Sequence, residues 1–404
     1  MRIYIYQPLE FHFHSGITLG VIQEYLHLAR LGHEVFVYGS YTDQAGFQEI
    51  RDFIGAEKIH LLARAGPLEK WRTPMKLRFL FQALTDRQPG KVFVTRHFNK
   101  ALDLVWLKPL LGRSCIHIYE AHEDGFPHLL PVKRQENVAR IRKQTETILR
   151  LNHGLLLNNF SQEVILHREF ATHPPVINLP NGVDPELFSK AAPPPWSESG
   201  PFVVTYTGQF TAWKNVEMLF AAVGQLDERF SLRISGGKSG AGHAESQEYV
   251  TSMARRHGLE GRVDFRGFVS RKALIEEVLN GSSVLAMPMG DNMRARYLTS
   301  PMKLFEAMAT RIPIAAIDFP SVNLVIGPDT AFLAQPDPAD FARAIHAAAL
   351  DISDRPQRIA RQNAIGRQFT HAVRAERYHQ WLTETLGQGH LQQGSDQVVD
   401  RPPR

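Results

Sequence analysis

Short apolar runs alternate with stretches of helical periodicity along most of the chain. In the first half, residues 2–6 predict a strand, residues 17–31 an amphipathic helix and residues 34–38 the next strand. This strand–helix–strand order is typical of a parallel sheet covered by helices. Further strands are predicted at 91–95, 114–119 and 154–158, with helices at 75–84 and 132–151. The first half is therefore predicted to be an α/β domain.

A turn-rich segment separates this series from a second one. Asn181-Gly182, with Pro180 and Pro185 on either side, favours a turn over regular structure, and a proline run follows at 193–195. Beyond it we predict strands at 202–206, 231–235, 262–265, 283–288 and 312–317. Helices are predicted at 216–226, 245–257, 271–279, 301–309, 338–350 and 372–386.

The predicted fold class is α/β, with two Rossmann-like parallel-sheet domains that face each other across a cleft. The predicted domains are residues 1–183 and 184–370. A C-terminal helix at 371–388 is expected to pack back on the first domain, and a polar, disordered tail is expected at 389–404. Parallel sheets bind ligands at the carboxyl ends of their strands, beside helix N-termini, so a nucleotide-type ligand is expected.

Composition narrows the class of protein. The 404 residues are 43% hydrophobic and 22% charged, which is typical of soluble globular proteins. No stretch of about 18 uncharged apolar residues predicts a membrane span, and the first residues lack the apolar core of a signal peptide. Cys115 is the single cysteine, which excludes an intramolecular disulfide and a multi-cysteine metal site. We expect a cytoplasmic protein.

The formal net charge of +5 lies entirely in residues 1–183, because the rest of the chain is balanced. Within that half, cations and aromatic residues are interleaved at 70–79, and residues 133–150 predict a strongly basic helix. Such surfaces suit the anionic inner face of a membrane, so we expect peripheral binding there, with a solvated helix face as the alternative. The excess is too small to predict nucleic acid binding.

One stretch, residues 299–309, has the features of a phosphate site. Ser300 suits an N-cap and Pro301 the first helical position, so the free backbone N–H groups from Ser300 to Lys303 are expected to attract a phosphate. Lys303 adds a full charge, and Glu306, one turn later, can accept hydrogen bonds from a ribose diol. The alternative is an ordinary amphipathic helix with a solvated glutamate.

A second stretch, residues 206–215, places a lysine after a strand. The strand is predicted to end at Gly208, and Lys214 is expected to open the next helix, from which it can reach a diphosphate at the strand ends. A surface lysine is the alternative. The stretch 235–239 resembles a P-loop but has Leu232 where the first glycine is required, so it is interpreted as a flexible loop.

Together, these segments resemble the family-4 retaining glycosyltransferases, which have the GT-B fold and use nucleotide sugars. The resemblance covers residues 176–321 and rests on the following motifs: Asn-Gly-Val-Asp at 181–184, Tyr-x-Gly at 206–208 with a lysine six residues after the glycine, the stretch 263–269, Ala-Met-Pro at 286–288 and Lys-Leu-Phe-Glu-Ala-Met-Ala at 303–309. Before residue 176 only the layout and the segment Tyr-Glu-Ala-His-Glu at 119–123 match.

The resemblance implies a role for each matching residue. His122 would face the donor sugar and the acceptor, Lys214 would bind the donor diphosphate, and Glu306 would bind the ribose hydroxyls. The other donor-binding positions implied are Gly16, in the loop after the first strand, together with Gly208, Gln209, Gly267, Phe268, Val269, Ser300, Pro301, Met302 and Lys303. The donor would be a nucleoside diphosphate sugar, most simply of uridine or guanosine, and the acceptor a glycan or lipid-linked saccharide of envelope polysaccharide assembly.

The resemblance also implies that neither a metal nor a cofactor is needed, because lysines and backbone amides oppose the charge of the departing diphosphate. His12 and His14 are interpreted as loop or sheet residues and not as metal ligands. Two positions depart from the family: Gln209 stands where an arginine is common, and Leu298 where a second glutamate is common. The alternatives are therefore a non-catalytic nucleotide-sugar-binding or scaffold protein, and an epimerase or phosphorylase of the same fold.

Overall fold

Seven parallel strands form the sheet of the first half of the chain. The structure is a computed structural model, which describes residues 1–11, 16–88, 90–111, 115–122, 125–131, 136–195, 197–238, 240 and 242–386. The spatial order is β3-β2-β1-β4-β5-β6-β7. The strands are β1 (Arg2–Glu10), β2 (Glu34–Tyr41), β3 (Ile59–Ala65), β4 (Lys91–Arg96), β5 (Cys115–Ala121), β6 (Gly154–Leu157) and β7 (Val176–Asn178). The predicted disordered tail and the pair His12 and His14 lie outside the described residues.

Six helices connect these strands, as expected for parallel pairs. They are α1 (Gly16–Arg30), α2 (Gln44–Ile54), α3 (Leu68–Thr85), α4 (Phe98–Leu111), α5 (Glu136–Leu151) and α6 (Phe160–Glu169), with a single 3-10 turn at Pro127–Leu129. The basic helix predicted from residue 132 is thus described from Glu136 onward.

Side chains alternate between the two faces of this sheet, since successive strand residues point in opposite directions. Ile3 and Ile5 of β1 share an apolar cluster with residues of α1 and α2. Tyr4 and Tyr6 belong to the opposite cluster, with residues of β2, α3 and α4. There the Tyr4 ring stacks on Phe36 with a centroid distance of 4.6 Å. The period-two pattern of the sequence thus buries both faces.

The second sheet has six parallel strands in the order β10-β9-β8-β11-β12-β13. They are β8 (Phe202–Phe210), β9 (Phe230–Lys238), β10 (Val263–Gly267), β11 (Val284–Met287), β12 (Ile314–Ile317) and β13 (Phe332–Ala334). The helices are α7 (Pro185–Phe188), α8 (Val216–Val223), α9 (His243–Arg256), α10 (Arg271–Ala273, continued by a π turn at Leu274–Leu279), α11 (Met302–Met308), α12 (Pro320–Asn323), α13 (Pro338–Leu350) and α14 (Arg355–Gly366).

The last helix, α15 (His371–Trp381, continued by a π turn at Leu382–Leu386), packs on the sheet of the first half. Tyr378, Trp381 and Leu382 are buried in the cluster that contains Ile3 and Ile5. His379 Nδ1 lies 2.8 Å from Nε2 of the buried His33. The described part of the chain therefore begins and ends in the same α/β domain.

The chain divides into two units that are not contiguous in sequence. The first unit comprises Met1–Asn158, Leu166–Leu179 and Ala372–Arg404; the second comprises Asn159–Ile165 and Pro180–His371. Boundaries were predicted at residue 183 and at residue 370, where the chain returns to the first domain, but the excursion at 159–165 was not predicted. None of the described helices has the length and apolarity needed to span a bilayer.

Candidate functional site

Glycines stand at the carboxyl ends of the three adjacent strands β8, β9 and β10. Gly208 of β8 pairs with Gly236 of β9, and a Cβ atom added at Gly236 would overlap the Gly208 carbonyl oxygen. Gly267 ends β10 with a φ of +63°, and a Cβ there would overlap the ring of His243. Larger residues are therefore excluded, and the backbone itself forms the surface at this edge of the sheet.

Lys214 lies beside the first of these glycines. It ends a single 3-10 turn, Ala212–Lys214, and helix α8 begins two residues later at Val216. Its ammonium group is 3.5 Å from the position that a Cβ of Gly208 would occupy and 5.1 Å from the Trp213 ring centroid. The structure thus brings together Gly208 and Lys214, as the sequence predicted. The neighbouring Gln209 is exposed, and its carbonyl oxygen accepts a hydrogen bond from the Tyr206 hydroxyl.

The loop before α11 packs against this turn. The backbone N–H of Gly290 donates to the carbonyl of Trp213 at 2.8 Å, and a Cβ at Gly290 would lie 3.0 Å from the Ala212 oxygen. A π turn, Arg294–Leu298, follows this loop and leads into the segment 299–303. The turn that carries Lys214 is therefore in contact with the loop and π turn that lead into the segment 299–303.

Four side chains hold the backbone of residues 297–300 by donating to four consecutive carbonyl oxygens. We call this set the carbonyl clamp: Ser161 Oγ donates to Tyr297 at 2.8 Å, Gln162 Nε2 to Leu298 at 3.2 Å, Asn159 Nδ2 to Thr299, and Asn181 Nδ2 to Ser300 at 2.8 Å. Asn159, Ser161 and Gln162 are almost completely buried. The clamp uses the acceptors of this segment and fixes its conformation.

The backbone donors of the same segment remain open. Within the described part of the chain, the N–H groups of Ser300, Met302 and Lys303 have no hydrogen-bond acceptor. With the carbonyls held by the clamp and the amides unpaired, the segment presents partial positive charge, which suits an anion.

The predicted capping of α11 is wrong in detail. Pro301 occupies the N-cap position, with φ −72° and ψ 101°, and the helix begins at Met302. Ser300 does not cap it, because its hydroxyl oxygen accepts a hydrogen bond from the Asn181 backbone N–H at 3.2 Å. The phosphate-binding role predicted for Pro301 can therefore involve only its position in the chain, since proline has no N–H.

Lys303 and Glu306 form an ion pair of 2.7 Å across one turn of α11. The side chain of Glu306 is only 16% exposed, whereas that of Lys303 is 36% exposed. The sequence predicted separate roles for the two residues, on phosphate and on ribose. In this structure each is the partner of the other, so a ligand that uses both must exchange this contact for two new ones.

The Phe268 ring lies against Gly237 of β9, and we call the surface that they form the shelf. The Phe268 side chain is 61% exposed, and a Cβ at Gly237 would lie 2.9 Å from its ring. Ser235 Oγ donates to the Gly267 carbonyl at 2.9 Å, and Val269 is half-buried beside it. The segment 235–238 belongs to β9 and is not the flexible loop that was predicted. An exposed ring over bare backbone can receive a planar base.

His122 belongs to a buried network of the first unit. Its Nε2 lies 3.1 Å from both Glu120 Oε1 and Arg96 Nε, and its Nδ1 lies 3.2 Å from Asn158 Nδ2. Arg96 pairs with Glu120 at 2.9 Å, and Arg374 of α15 approaches the same carboxylate at 3.3 Å. Both ring nitrogens of His122 are therefore engaged.

The charges of this network set its protonation. Burial opposes ionisation of Glu120, but the Arg96 guanidinium, with His122 and Arg374, holds the pKa of that carboxyl well below its usual range. Burial and the charge of Arg96 lower the pKa of His122. At neutral pH the network therefore holds an ionised Glu120 and a neutral His122.

Gly16 is the first residue of α1, not a loop residue as predicted. Residues 12–15 lie outside the described residues. Among the residues that the structure describes, no group of three or more His, Cys, Asp or Glu side chains could hold a metal ion.

The sequence did not indicate several of these residues. The clamp residues Asn159, Ser161 and Gln162 are more than 130 positions from their acceptors, so no local pattern reveals them. Gly236 and Gly237 had a signal, a glycine pair at the end of a predicted strand, which the failed P-loop pattern obscured.

Residues 201–351 match the sequence profile of the family described as "Glycosyl transferases group 1". Sucrose-phosphate synthase from Thermosynechococcus elongatus is similar in structure, with a TM-score of 0.70 and 18% identity over 96% of this chain and 99% of that one. Anabaena HepE in complex with UDP-glucose gives a TM-score of 0.66 and 16% identity over 96% and 100% of the two chains.

A trehalose-6-phosphate protein from E. coli, bound to UDP-2-fluoro glucose, gives a TM-score of 0.67 and 10% identity over 95% of this chain and 99% of that one. No curated protein has a detectable sequence match to the chain. At these identities the structural likeness shows the fold alone, and the profile match covers residues 201–351 of the 404.

Proposed function

We propose that this protein is a retaining glycosyltransferase of family 4, because residues 201–351 match the profile of the group 1 glycosyltransferases and the chain has the GT-B fold. It moves a sugar from a nucleoside diphosphate donor to a hydroxyl group of a glycan or lipid-linked acceptor in envelope polysaccharide assembly. The nucleoside is uridine or guanosine. UDP and UDP-glucose occupy the HepE structures to which this fold is similar, which favours uridine.

The observation that carries the proposal is the polarity of residues 297–303. Their carbonyl groups are used by the carbonyl clamp, whereas three of their amides are open. Lys214 adds a full charge at the neighbouring Gly208. A diphosphate that bridges the two positions receives backbone donors at one end and an ammonium group at the other.

The reaction chemistry follows from where charge develops. Breaking the bond between the anomeric carbon and the phosphate leaves positive charge on the sugar and negative charge on the diphosphate. Lys214 and the open amides stabilise that negative charge more strongly in the transition state than in the ground state, which lowers the barrier. No metal is required for this stabilisation.

Retention of configuration is proposed to follow front-side attack. The acceptor oxygen bonds to the anomeric carbon on the face from which the diphosphate departs, and a phosphate oxygen of the leaving group takes the acceptor proton. His122 is neutral, and both its ring nitrogens have partners, so its contribution is to position the sugar and not to transfer a proton.

The remaining donor contacts are assigned by shape and chemistry. The base is proposed to lie on the shelf at Gly267, Phe268 and Val269. The ribose diol would replace the Lys303 ammonium as the partner of Glu306, which releases Lys303 toward the phosphates.

Leu298 and Gln209 bear on the sugar. Leu298 is fully buried, so a carboxylate at this position would be a desolvated charge in this fold. The sugar therefore lacks the second glutamate contact common in the family, and we propose that the specificity for the sugar differs accordingly.

A thermal-shift panel of nucleoside diphosphates and their sugars tests the proposal. We expect stabilisation by uridine or guanosine diphosphate, followed by turnover of the matching sugar donor. Stabilisation without turnover for any acceptor pool would favour the non-catalytic alternative, to which Leu298 and Gln209 point. Release of an epimer without acceptor, or dependence on free phosphate, would favour the epimerase or phosphorylase.

We also propose that the first unit binds the anionic face of a membrane through α3. Leu77, Phe81 and Leu84 recur along one side of this helix and are 62%, 69% and 38% exposed. The cations Arg78 and Arg87 flank them. An apolar stripe with a basic border suits anionic lipid. Helix α5 also presents exposed cations, but no large apolar residue among its described positions is exposed.

Co-sedimentation with vesicles tests this surface. We expect binding to phosphatidylserine-containing vesicles and not to pure phosphatidylcholine, with loss in Phe81→Ser. Leu324→Ser, which changes a similarly exposed apolar residue of the second unit, is the matched control. Equal binding by Phe81→Ser and the control would exclude α3 as the membrane surface.

A further inference from the structure

A second charged site lies in the first unit and shares no residue with the buried network of His122. It is built around Asp103, on the second turn of α4. Lys76 of α3 approaches the Asp103 carboxylate at 2.9 Å and Lys100 at 3.5 Å. The Tyr6 hydroxyl donates to the same oxygen at 3.1 Å. We call these residues, with Arg72 and Tyr38, the Asp103 cluster.

The cluster is unbalanced in charge. The charges of Arg72 and Lys76 both act on Lys100, whose side chain is only 11% exposed. Two lysines therefore share one carboxylate, and Arg72 adds a third positive charge that acts on Lys100. Burial, with the other two cations, lowers the pKa of Lys100 although Asp103 opposes the shift. Two ammonium groups on the same carboxylate oxygen, one of them almost completely buried, repel each other, and an additional anion would reduce that repulsion.

A buried hydroxyl without a partner points to the same place. Tyr38 is fully buried, and its hydroxyl has no hydrogen-bond partner among the described residues. Its ring centroid is 6.1 Å from that of Tyr6, and the charges of Arg72 and Asp103 both act on it. Orphaned buried hydroxyls are rare in folded proteins and call for a ligand or an ordered water.

The position in the sheet agrees with a binding role. Helices α3 and α4 run back along parallel strands, so their first turns lie at the carboxyl edge of the sheet, where α/β proteins bind ligands. Arg72, Lys76, Lys100 and Asp103 all belong to the first half of their helix. The cluster therefore lies at the carboxyl edge of the first sheet.

We propose that the Asp103 cluster binds a phosphate group of the acceptor. The proposal deepens the proposed function and rests on it, because it takes the first unit as the acceptor side of a glycosyltransferase. Lys76, Lys100 and Arg72 neutralise the phosphate and Tyr38 donates its hydroxyl. Asp103 holds the two lysines in place. The same chemistry recognises a soluble sugar phosphate and a lipid-linked phosphate.

Titration calorimetry on the full chain with inorganic phosphate and with glucose 6-phosphate tests the proposal. For Tyr38→Phe, which removes only the hydroxyl, we expect binding about fivefold to tenfold weaker than wild type, the effect of one hydrogen bond. For Lys100→Gln we expect a loss of about tenfold or more, as for a bond to a charged group. Lys58→Gln, an exposed lysine elsewhere in this unit, is the control and should bind as wild type.

Unfolding of Tyr38→Phe separates binding from structure. Because its hydroxyl has no partner, its removal should leave the urea midpoint unchanged or higher while phosphate binding weakens. A lower midpoint together with unchanged phosphate binding would mean a structural hydroxyl and would overturn the proposal.

Two further comparisons complete the test. Sedimentation with phosphatidylcholine vesicles, with and without phosphatidic acid, shows whether the chain binds a lipid phosphate more strongly than glucose 6-phosphate. Binding of either ligand supports the site if Lys100→Gln weakens that binding. Absence of phosphate binding, or equal binding by all variants, overturns the proposal. If uridine or guanosine diphosphate still stabilises the same samples, only this inference fails; if neither does, the proposed function fails as well.

Discussion

Lys214 is the residue at which one charge has the most influence on the proposed reaction, since its ammonium group lies at Gly208, where the diphosphate is proposed to bind. We predict that Lys214→Ala lowers the turnover number by about 10²–10³-fold, the usual effect of removing one electrostatic stabiliser of a transition state. The measurement is donor turnover at saturating acceptor. The matched control is Lys272→Ala, whose side chain is 78% exposed on α10.

The control should keep wild-type turnover, and both variants should keep the wild-type unfolding midpoint. Unchanged turnover in Lys214→Ala would remove the lysine from the mechanism. A loss confined to the Michaelis constant would assign it to ground-state binding alone.

Glu120 is the residue on which the buried network of the first unit depends. In Glu120→Gln, Arg96 and Arg374 lose the carboxylate between them, and we predict a free energy of unfolding lower by about 3–5 kcal/mol at pH 7. Urea unfolding measures it. Glu146→Gln, at an exposed position of α5, should change little.

The pH dependence of the same variant has a defined sign. Because the pKa of Glu120 is lower in the folded than in the unfolded protein, its contribution is fully present above about pH 4.3, the unfolded value, and falls as pH decreases. Wild type should therefore lose stability on acidification more steeply than Glu120→Gln. Parallel curves would contradict the direction assigned to this pKa.

At the residue scale, the sequence predicted proximity within a segment better than contacts between distant segments. Gly208 and Lys214 lie together as expected, because both sit within one strand–turn segment. The cap at Ser300 was wrong because Asn181, 119 positions away, takes its hydroxyl oxygen. Local patterns indicate which groups a segment carries, but not which distant donor competes for them.

At the scale of single elements, the contact between β8 and β9 defines the site edge. A methyl group at Gly236 would overlap the Gly208 carbonyl, so the two strands would have to separate. We predict that Gly236→Ala lowers the free energy of unfolding by about 2 kcal/mol or more and abolishes nucleotide stabilisation. Thermal shift with and without uridine diphosphate measures both effects.

Gly242→Ala is the control for this prediction, because nothing lies within 4 Å of a Cβ placed there. It should retain the wild-type midpoint and nucleotide response. If Gly236→Ala behaved in the same way, the strand ends would be more adaptable than their spacing indicates.

The strands that the sequence failed to predict are those at sheet edges. β3 and β7 border the first sheet and β13 borders the second, and β7 and β13 have only three residues each. Such strands need not be apolar on both faces, so they lack the continuous apolar runs by which β4 and β5 were predicted. Conversely, β8 and β9 extend past their predicted ends because Gly208 and Gly236 pair.

At the scale of the whole molecule, each unit has its own hydrophobic core, so the two should respond separately to ligands. We predict that scanning calorimetry resolves a transition raised by nucleoside diphosphate, assigned to the second unit, while the other stays in place. At a concentration of 100 times the dissociation constant, the gain is about 2.7 kcal/mol. In Lys214→Ala the shift should shrink.

A single transition that moves as a whole with nucleotide would contradict the separate response.

The two-domain α/β architecture was predicted from the alternation of short apolar runs with stretches of helical periodicity. Of the four crossings of the chain between the units, those near residues 180 and 372 were expected, whereas the two that bound 159–165 leave no mark on composition or spacing.

The carbonyl clamp has a consequence for how such proteins can evolve. Three of its donors, Asn159, Ser161 and Gln162, come from the excursion at 159–165 and not from the continuous stretch 180–371. Recombination at residue 180 would replace the whole amino-terminal half and remove those three donors. The backbone carbonyl oxygens of residues 297–299 would then lose their hydrogen-bond donors. A chimera with a new acceptor half should therefore retain donor binding only if the incoming cassette supplies an equivalent asparagine, serine and glutamine.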